Sequence, residues 1–307
     1  MGNTILKLYK NDRLRKLISQ YCLSVNQEAD DWYTKSIKDL ETKRYLIPVL
    51  GVQGSGKSSL LNSMLFNDIV LPVDAAETTC IPTEISFTDS DKPVAKVVFN
   101  DGRSEGILCE RGTLAFYVHQ EHNPGNQKGV SRIEIGIRHE LLKDGLVLVD
   151  LPGIGSITKE NQNTTMEYFK MSTGAIFLLR TVPPMTGQES VFIQLVWPLM
   201  SNAFFVQNQW ADESAEEVTD GRDHSLSILK SIAKTIHFPS EDITIDTICI
   251  IKAMNAVCTD DAKKLEESQL HLFIEKLIDF SQQWRSKLGE ILCLEKSFKR
   301  QWKKIEK

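Results

Sequence analysis

The sequence lacks any apolar run that approaches the roughly 20 residues needed to cross a bilayer as a helix. Its first residues lack the apolar core of a secretory signal peptide, and Met1–Leu6 miss the myristoylation pattern because the sixth position is not Ser or Thr. The six cysteines are scattered without a C-x-x-C pair, which argues against a disulfide framework or a zinc site. These absences lead us to expect a cytoplasmic protein.

Positive charge is also scarce, since 36 Lys and Arg face 41 Asp and Glu for a formal net charge of −5. This balance argues against a general nucleic-acid binder. The basic end of the chain, residues 296–307, is either a solvated helix end or a contact for an anionic surface. With 307 residues and 41% hydrophobic residues, we expect one large domain, alone or with a smaller accessory.

The most informative stretch that is present is GVQGSGKSS at residues 51–59, which fits the phosphate-loop pattern G-x-x-x-x-G-K-[ST]. An apolar strand pattern precedes it and a helical pattern follows it, which makes a glycine turn with an accidental lysine the weaker interpretation. The glycines let successive N–H groups point at phosphate oxygens. Lys57 would bridge the β- and γ-phosphates, and Ser58 would complete a Mg²⁺ shell. The predicted nucleotide-binding residues of this loop are Gly51, Gln53, Gly54, Ser55, Gly56, Lys57, Ser58 and Ser59.

Two later segments predict the remaining phosphate-side residues. Thr79 lies between the phosphate loop and the next strand, where it could reach Mg²⁺ and position water; the alternative is an ordinary strand-edge threonine. The apolar run 146–149 ends in Asp150, and D-x-x-G follows. Asp150 would hold Mg²⁺ through a water molecule, and the N–H of Gly153 would sense the γ-phosphate.

A base-reading segment is predicted after a further apolar run, where GTPases usually carry N-K-x-D. Asn208 has the right setting, but Gln209 stands in place of Lys and Asp212 comes one residue late. An aspartate there selects guanine because it accepts hydrogen bonds from both N1–H and the exocyclic amine. Asp212 is therefore either a guanine contact or only a helix cap.

The chain divides into three zones: a helical segment at 1–43, alternating apolar runs and amphipathic stretches at 44–256, and an amphipathic segment at 257–307. The middle zone is typical of an α/β sheet, which is mixed if the runs at 94–99 and 132–137 pair antiparallel. Strands are predicted at 45–50, 83–87, 94–99, 132–137, 146–149, 175–179, 203–206 and 244–251. Helices are predicted at 57–67, 112–122, 164–173, 188–200 and 226–236.

From residue 260 onward the apolar spacing predicts one long amphipathic helix with a break near Gly289. The first and last zones would pack together as a helical neck beside the sheet domain. Because the helical pattern stops abruptly at Lys307, we expect this sequence to be the front part of a longer protein.

Together these elements resemble the dynamin family, especially the bacterial dynamin-like GTPases, over roughly residues 44–285. The resemblance rests on G-x-Q-x-x-G-K-S-S, on Leu-Pro-Val followed by Thr-Thr at 71–79, on D-L-P-G at 150–153 and on the segment 204–210. It implies a P-loop NTPase three-layer fold with a mixed, mostly parallel sheet and a helical neck. It also implies GTP hydrolysis to GDP with Mg²⁺, a nucleotide-dependent homodimer, and membrane association through a longer parent protein.

The sequence departs from the family pattern at three points. Gly54 replaces the usual Ser, which is implicated in holding a monovalent cation, and the displaced Asp212 affects guanine selectivity. The chain also lacks room for a full stalk and membrane-binding tip. Ile154 occupies the position of the water-orienting Gln of small GTPases, so the resemblance assigns water positioning to Gln53 together with Thr79.

Two other functions fit the same residues. The altered base-reading segment is compatible with a broad-specificity triphosphatase, which GTP-versus-ATP competition would reveal. The terminal helical zones are compatible with a nucleotide-gated module that binds a partner with little turnover.

Overall fold

Runs of β-branched and other apolar residues form the strands, and the most apolar of them, β1 and β6, are buried on both faces. The computed structural model describes residues 44–73, 81–153, 166–200, 202–259 and 261–285. The strands are β1 Tyr45–Leu50, β2 Thr83–Phe87, β3 Val94–Phe99, β4 Ser104–Ile107, β5 Val130–Ile137, β6 Leu146–Asp150, β7 Gly174–Arg180, β8 Asn202–Asn208 and β9 Ile245–Ile248. The helices are α1 Lys57–Leu65, α2 Arg111–Val118, α3 Gly187–Val196, α4 Ala215–Thr235, α5 Ile250–Thr259, α6 Ala262–Glu267 and α7 Leu270–Arg285, with short 3₁₀ turns at Pro124–Asn126, Glu140–Leu142 and Trp197–Leu199. Residues 166–171 are also helical and fall in the predicted helix 164–173.

In the described residues the strands form one sheet in the order β4-β3-β5-β2-β6-β1-β7-β8-β9. The pairs that join β6, β1, β7, β8 and β9 are all parallel. Strand β2 runs antiparallel to β6, and β3 runs antiparallel to both β4 and β5. The predicted mixed, mostly parallel sheet is therefore confirmed. Because parallel strands end at the same edge, the loops after β1, β7, β8 and β9 share one rim of the molecule.

Two hydrophobic layers cover the sheet, as a three-layer fold requires. One face packs Ile47 and Phe204 of the sheet against α1, α5 and α7. The other face packs against α3 and α4, and it is rich in aromatic rings. There the rings of Phe177 and Phe205 stack at 5.2 Å between centroids, and Trp197 meets Phe205 edge-on at 4.8 Å. These layers hold the rim loops on a rigid support.

The described part of the last zone is not one continuous helix. Helices α6 and α7 are separated at Gln269, whose φ of 61° is left-handed and ends the helical path. Leu270, Phe273 and Leu277 of α7 are buried in the same core as the sheet. The predicted break near Gly289 and the pairing with zone 1–43 lie outside the described residues. No helix in the described ranges is long and apolar enough to cross a membrane.

Several predicted boundaries are corrected by the structure. The run at 244–251 is a strand only to Ile248, because α5 begins at Ile250 and carries the rest. Residues 256 and 257, where the sequence predicts a zone boundary, both lie in α5, and the division of the chain into three domains stays a prediction. Helix α4 begins at Ala215 rather than at 226, since Ser214 and Glu217 form a capping box. Strand β4 escaped prediction because it is an exposed edge strand with little apolar patterning.

Candidate nucleotide-binding site

The phosphate loop connects β1 to α1, and its glycines are required by its backbone. Gly54 and Gly56 have φ angles of 73° and 99°, a region that side chains disfavour. A Cβ atom on Gly51 would lie 2.6 Å from the carbonyl oxygen of Leu178 on β7, which no residue with a side chain could accommodate. Close packing therefore requires glycine at position 51, whereas the backbone angles at positions 54 and 56 favour glycine.

Lys57, the first residue of α1, turns its amine back onto the loop. Its Nζ donates to the carbonyl oxygens of Gly51 at 3.3 Å and Val52 at 3.1 Å. Burial lowers the pKa of this amine, and nearby Asp150 partly opposes the shift. A buried ammonium group held against the loop is suited to a multiply charged anion, whose charge would replace the water that burial removes.

Asp150 ends β6 directly beside the start of α1. Its Oδ2 accepts a 2.6 Å hydrogen bond from the hydroxyl of Ser58, whereas its Oδ1 is buried without a hydrogen-bond partner in the described residues. Burial raises the pKa of this carboxyl group, and Ser58 and Lys57 partly offset the shift. An under-satisfied buried carboxylate is uncommon and calls for a ligand or an ordered water molecule.

The hydroxyl and carboxylate of this pair fit Mg²⁺, which prefers oxygen ligands and keeps several waters. In the described residues no group of three or more His, Cys, Asp or Glu side chains could hold a metal ion alone. A cation at Ser58 and Asp150 would therefore depend on phosphate oxygens and water for its other ligands, as in nucleotide sites. The donor set fits that role.

Gly153 packs directly on the phosphate loop. A Cβ atom there would lie 2.9 Å from the backbone nitrogen of Gln53 and 3.0 Å from Nζ of Lys57. The structure thus places the D-x-x-G glycine against the predicted γ-phosphate ligands. Gln53 and Gly54 are exposed at the mouth of the loop, while Ser55 is buried and Ser59 is half-buried in α1. The predicted metal ligand Thr79 lies outside the described residues.

Asn208 joins the base side of the site to the phosphate loop. Its side-chain nitrogen donates to the carbonyl oxygen of Ser55 at 3.1 Å, and its oxygen accepts from the backbone N–H of Ile250 at 3.2 Å. Asn208 is therefore a buried cross-link between three segments of the site. The part played by Ile250 was not predicted, because the sequence pattern assigned it to a strand.

Asp212 lies in an exposed turn of the base loop, which we define as residues 209–213. It is not the helix cap considered as an alternative, because Ser214 caps α4 through a hydrogen bond to the N–H of Glu217. Within the loop, the N–H of Trp210 donates to the carboxylate of Glu213 at 2.8 Å. Asp212 is thus left on the rim with its carboxylate toward solvent.

The described domain places a phosphate loop, a serine–aspartate pair and a base-side asparagine at one edge of the sheet. This is the architecture of P-loop nucleoside triphosphatases. A profile of the dynamin family matches residues 47–210, more than half of the chain. The chain belongs to the dynamin family. Members of this family are GTPases.

Two relatives illustrate the membership. An "Uncharacterized protein in xynA 3'region" of Caldicellulosiruptor sp. is 29% identical over 265 residues, which are 86% of this chain and 63% of that protein. "Dynamin-like protein 2" of Campylobacter jejuni is 29% identical over 245 residues, which are 75% of this chain and 38% of that protein. The chain thus spans less than two thirds of the length of either relative.

A solved structure described as an oligomerised bacterial dynamin pair has the same fold. It superposes with a TM-score of 0.63 at 18% sequence identity and covers 98% of this chain and 55% of that one. At this identity the likeness concerns the fold alone.

Proposed function

We propose that this chain binds GTP with Mg²⁺ and hydrolyses it to GDP through the site at the carboxyl edge of β1, β6 and β8. The observation that carries the proposal is the convergence of Lys57, the Ser58–Asp150 pair and Asn208 on one phosphate loop. Each group meets a different part of the nucleotide. Mg²⁺, when bound, would neutralise charge on the β- and γ-phosphates.

In this mechanism the phosphate loop and Lys57 hold the triphosphate in line for attack by water on the γ-phosphate. Lys57 stabilises the charge that develops in the transition state, where a buried ammonium group acts most strongly. Gln53, exposed at the mouth of the loop, and Thr79 position the attacking water. The N–H of Gly153 contacts the γ-phosphate, and Asp212 and Asn208 face the base.

Calorimetry with GTP, GDP, a GTP analogue and ATP in the presence of Mg²⁺ tests this proposal. We expect guanine-selective binding in the wild type and a loss of about 100-fold or more in Lys57→Ala, because the ammonium group contacts two phosphates. Lys92→Ala, at an exposed lysine before β3, is the matched control and should bind normally. Tight GTP binding by Lys57→Ala would contradict the phosphate-site assignment.

Equal binding of ATP would favour the broad-specificity triphosphatase instead. Gln209 in place of lysine and the exposed position of Asp212 are the observations that keep this second function open. Nucleotide-dependent capture of a partner with negligible hydrolysis would favour the interaction module.

Dimerisation across the nucleotide is the second part of the proposal. Large apolar side chains are exposed just after three neighbouring strands: Val182 after β7, Trp210 after β8 and Ile251 after β9, with exposures of 55%, 42% and 42%. They lie on the rim that holds the nucleotide, so a second copy facing this rim would cover them and close the site from water. Membrane association through a longer parent protein is proposed on the family relationship alone.

Turnover of GTP per molecule, measured over a wide range of protein concentration, tests the dimer. We expect turnover to rise with concentration in the wild type and to rise less in Val182→Ser, because the variant removes apolar surface from the rim. Leu195→Ser, at an exposed leucine of α3, is the control for general surface effects. A flat concentration profile in the wild type would rule out stimulation by dimerisation.

A further inference from the structure

Gln207 is a fully buried polar side chain that follows the apolar residues 203–206 of β8. It has 0% exposure, and the preceding residues Phe205 and Val206 are core residues. A buried amide is costly unless it is hydrogen-bonded, and an apolar residue would pack there at lower cost. The contacts of this amide therefore show what the residue does.

The amide begins a directional chain of hydrogen bonds. Its Nε2 donates to the carbonyl oxygen of Val218 at 2.9 Å and to the hydroxyl oxygen of Thr181 at 3.0 Å. The Thr181 hydroxyl in turn donates to the carbonyl oxygen of Asn208 at 3.4 Å. We call these three hydrogen bonds the Gln207–Thr181 brace. The Oε1 atom of Gln207 is buried without a hydrogen-bond partner in the described residues, so the amide is satisfied on its donor side only.

The brace holds both ends of the base loop. Asn208 is the residue before this loop, and Val218 lies in the first turn of α4, which follows it. Helix α4 also approaches the Thr181 segment closely, since a Cβ atom on Gly221 would lie 2.8 Å from the Thr181 carbonyl oxygen. The start of the loop and the helix after it are thus held in one fixed relation.

We propose that Gln207 and Thr181 are positioning residues for base selection, which hold the base loop so that Asp212 meets the N1–H and exocyclic amine of guanine. This inference rests on the proposed GTP-binding function. The base loop is one residue longer between Asn and Asp than N-K-x-D, and a longer loop needs more support to present one carboxylate in one place. Inside the loop, the N–H of Gln209 donates to the carbonyl oxygen of Ile248 at 2.8 Å, and hydrogen bonds between Trp210 and Glu213 close the turn around Asp212. The two braced ends hold this turn against the rest of the domain.

The test compares GTP with inosine triphosphate, which keeps N1–H but lacks the exocyclic amine. We expect the wild type to bind GTP more tightly than inosine triphosphate. In Thr181→Val and Gln207→Leu the ratio of the two affinities should fall about fivefold, which is the effect of one mispositioned hydrogen bond. Affinity for inosine triphosphate should change less. Thr181→Ser keeps the hydroxyl and should restore the preference.

Thr219→Val is the matched control, because among the described residues the hydroxyl of this exposed threonine donates only to the carbonyl oxygen of Ala215 in its own helix. An unchanged preference in both brace variants, with normal thermal unfolding, would overturn the inference. If Gln207→Leu does not fold, the contrast between Thr181→Val and Thr181→Ser decides the question. A wild type that binds triphosphates without preferring GTP would overturn the inference while leaving the phosphate site intact. A wild type that binds no nucleotide would overturn the proposed function.

Discussion

Two buried carboxylates on neighbouring strands have opposite surroundings. Asp150 on β6 and Glu84 on β2 lie one register position apart in an antiparallel pair, because Thr83 is opposite Asp150. Glu84 accepts from the hydroxyl of Tyr168 at 2.7 Å and from Arg44 at 3.1 Å, and Arg132 lies 3.5 Å away. Asp150 has the Ser58 hydroxyl on one oxygen, while its other oxygen has no hydrogen-bond partner in the described residues.

The difference separates a structural group from a binding group. Glu84 is enclosed by cations and a phenol, so its burial is compensated within the folded chain. The burial of Asp150 is only partly compensated, because one of its oxygens has no hydrogen-bond partner in the described residues. A cation or an ordered water molecule at that oxygen would stabilise the carboxylate. A substitution of Asp150 should therefore mainly reduce GTP hydrolysis, whereas a substitution of Glu84 should mainly reduce the stability of the nucleotide-free protein.

The largest effect is expected for Asp150→Asn. We expect GTP hydrolysis to fall about 100-fold, since a neutral amide is a much poorer partner for Mg²⁺ and its waters. The nucleotide-free protein should lose less stability than with Glu84→Gln, because the variant removes a buried carboxylate with one unbonded oxygen, although it also removes the charge partner of Lys57. Steady-state hydrolysis and urea unfolding measure the two quantities, with the exposed Asp89→Asn as control. Unchanged hydrolysis would place the Mg²⁺ ligand elsewhere.

The reverse is expected for Glu84→Gln, an equally small change. It should lower the free energy of unfolding by about 2 kcal/mol, because Arg44 loses its carboxylate partner and Arg132, which keeps Glu134, loses a second nearby charge in a partly buried site. Nucleotide affinity should change little. Tyr168→Phe, which removes one donor from the same carboxylate, should cost about 1 kcal/mol. Urea unfolding measures the free energy of unfolding, and calorimetry measures the affinity for GTP. A large loss of GTP affinity at normal stability would show that Glu84 contributes to nucleotide binding.

The smallest effect concerns pH. Burial raises the pKa of Asp150, so the folded, nucleotide-free protein keeps this proton to a higher pH than the unfolded chain does. The associated stability is complete below the unfolded pKa, near 3.8, and is lost as the pH rises through the folded value. The stability of Asp150→Asn relative to the wild type should therefore rise with pH above this point. Urea unfolding from about pH 4 to about pH 7 measures it, and a constant difference would show that the Asp150 pKa is not raised.

The phosphate side of the site was predictable from sequence because its chemistry is local. The loop, its lysine and its serine lie within nine consecutive residues, and Asp150 and Gly153 follow one apolar run. A Cβ atom on Gly153 would lie within 3.0 Å of Gln53 and Lys57, so the structure places these three residues side by side. The roles of Gln53, Thr79 and Asp212 in catalysis and base reading stay predictions.

The base side was less predictable because its contacts join distant segments. The hydrogen bonds of Asn208 join it to Ser55, which lies 153 positions earlier in the sequence, and to Ile250, which lies 42 positions later. The strand expected at 244–251 concealed the start of α5 at Ile250, since both a strand and a buried helix begin with apolar residues. The signal that could have revealed the start of α4 was Ser214 followed by Glu217, a capping-box spacing.

The sequence by itself determined the phosphate-loop motif, the mostly parallel sheet and the membership in a family of GTPases, because each rests on short motifs and on local apolar periodicity. Only the tertiary structure decided which buried carboxylate is compensated and which is left for a ligand, and how the base loop is braced. Those properties depend on side chains such as Tyr168, Arg132 and Thr181, which folding brings to Glu84 and Gln207 from other parts of the chain. Partners at such distances leave no periodic pattern in the sequence.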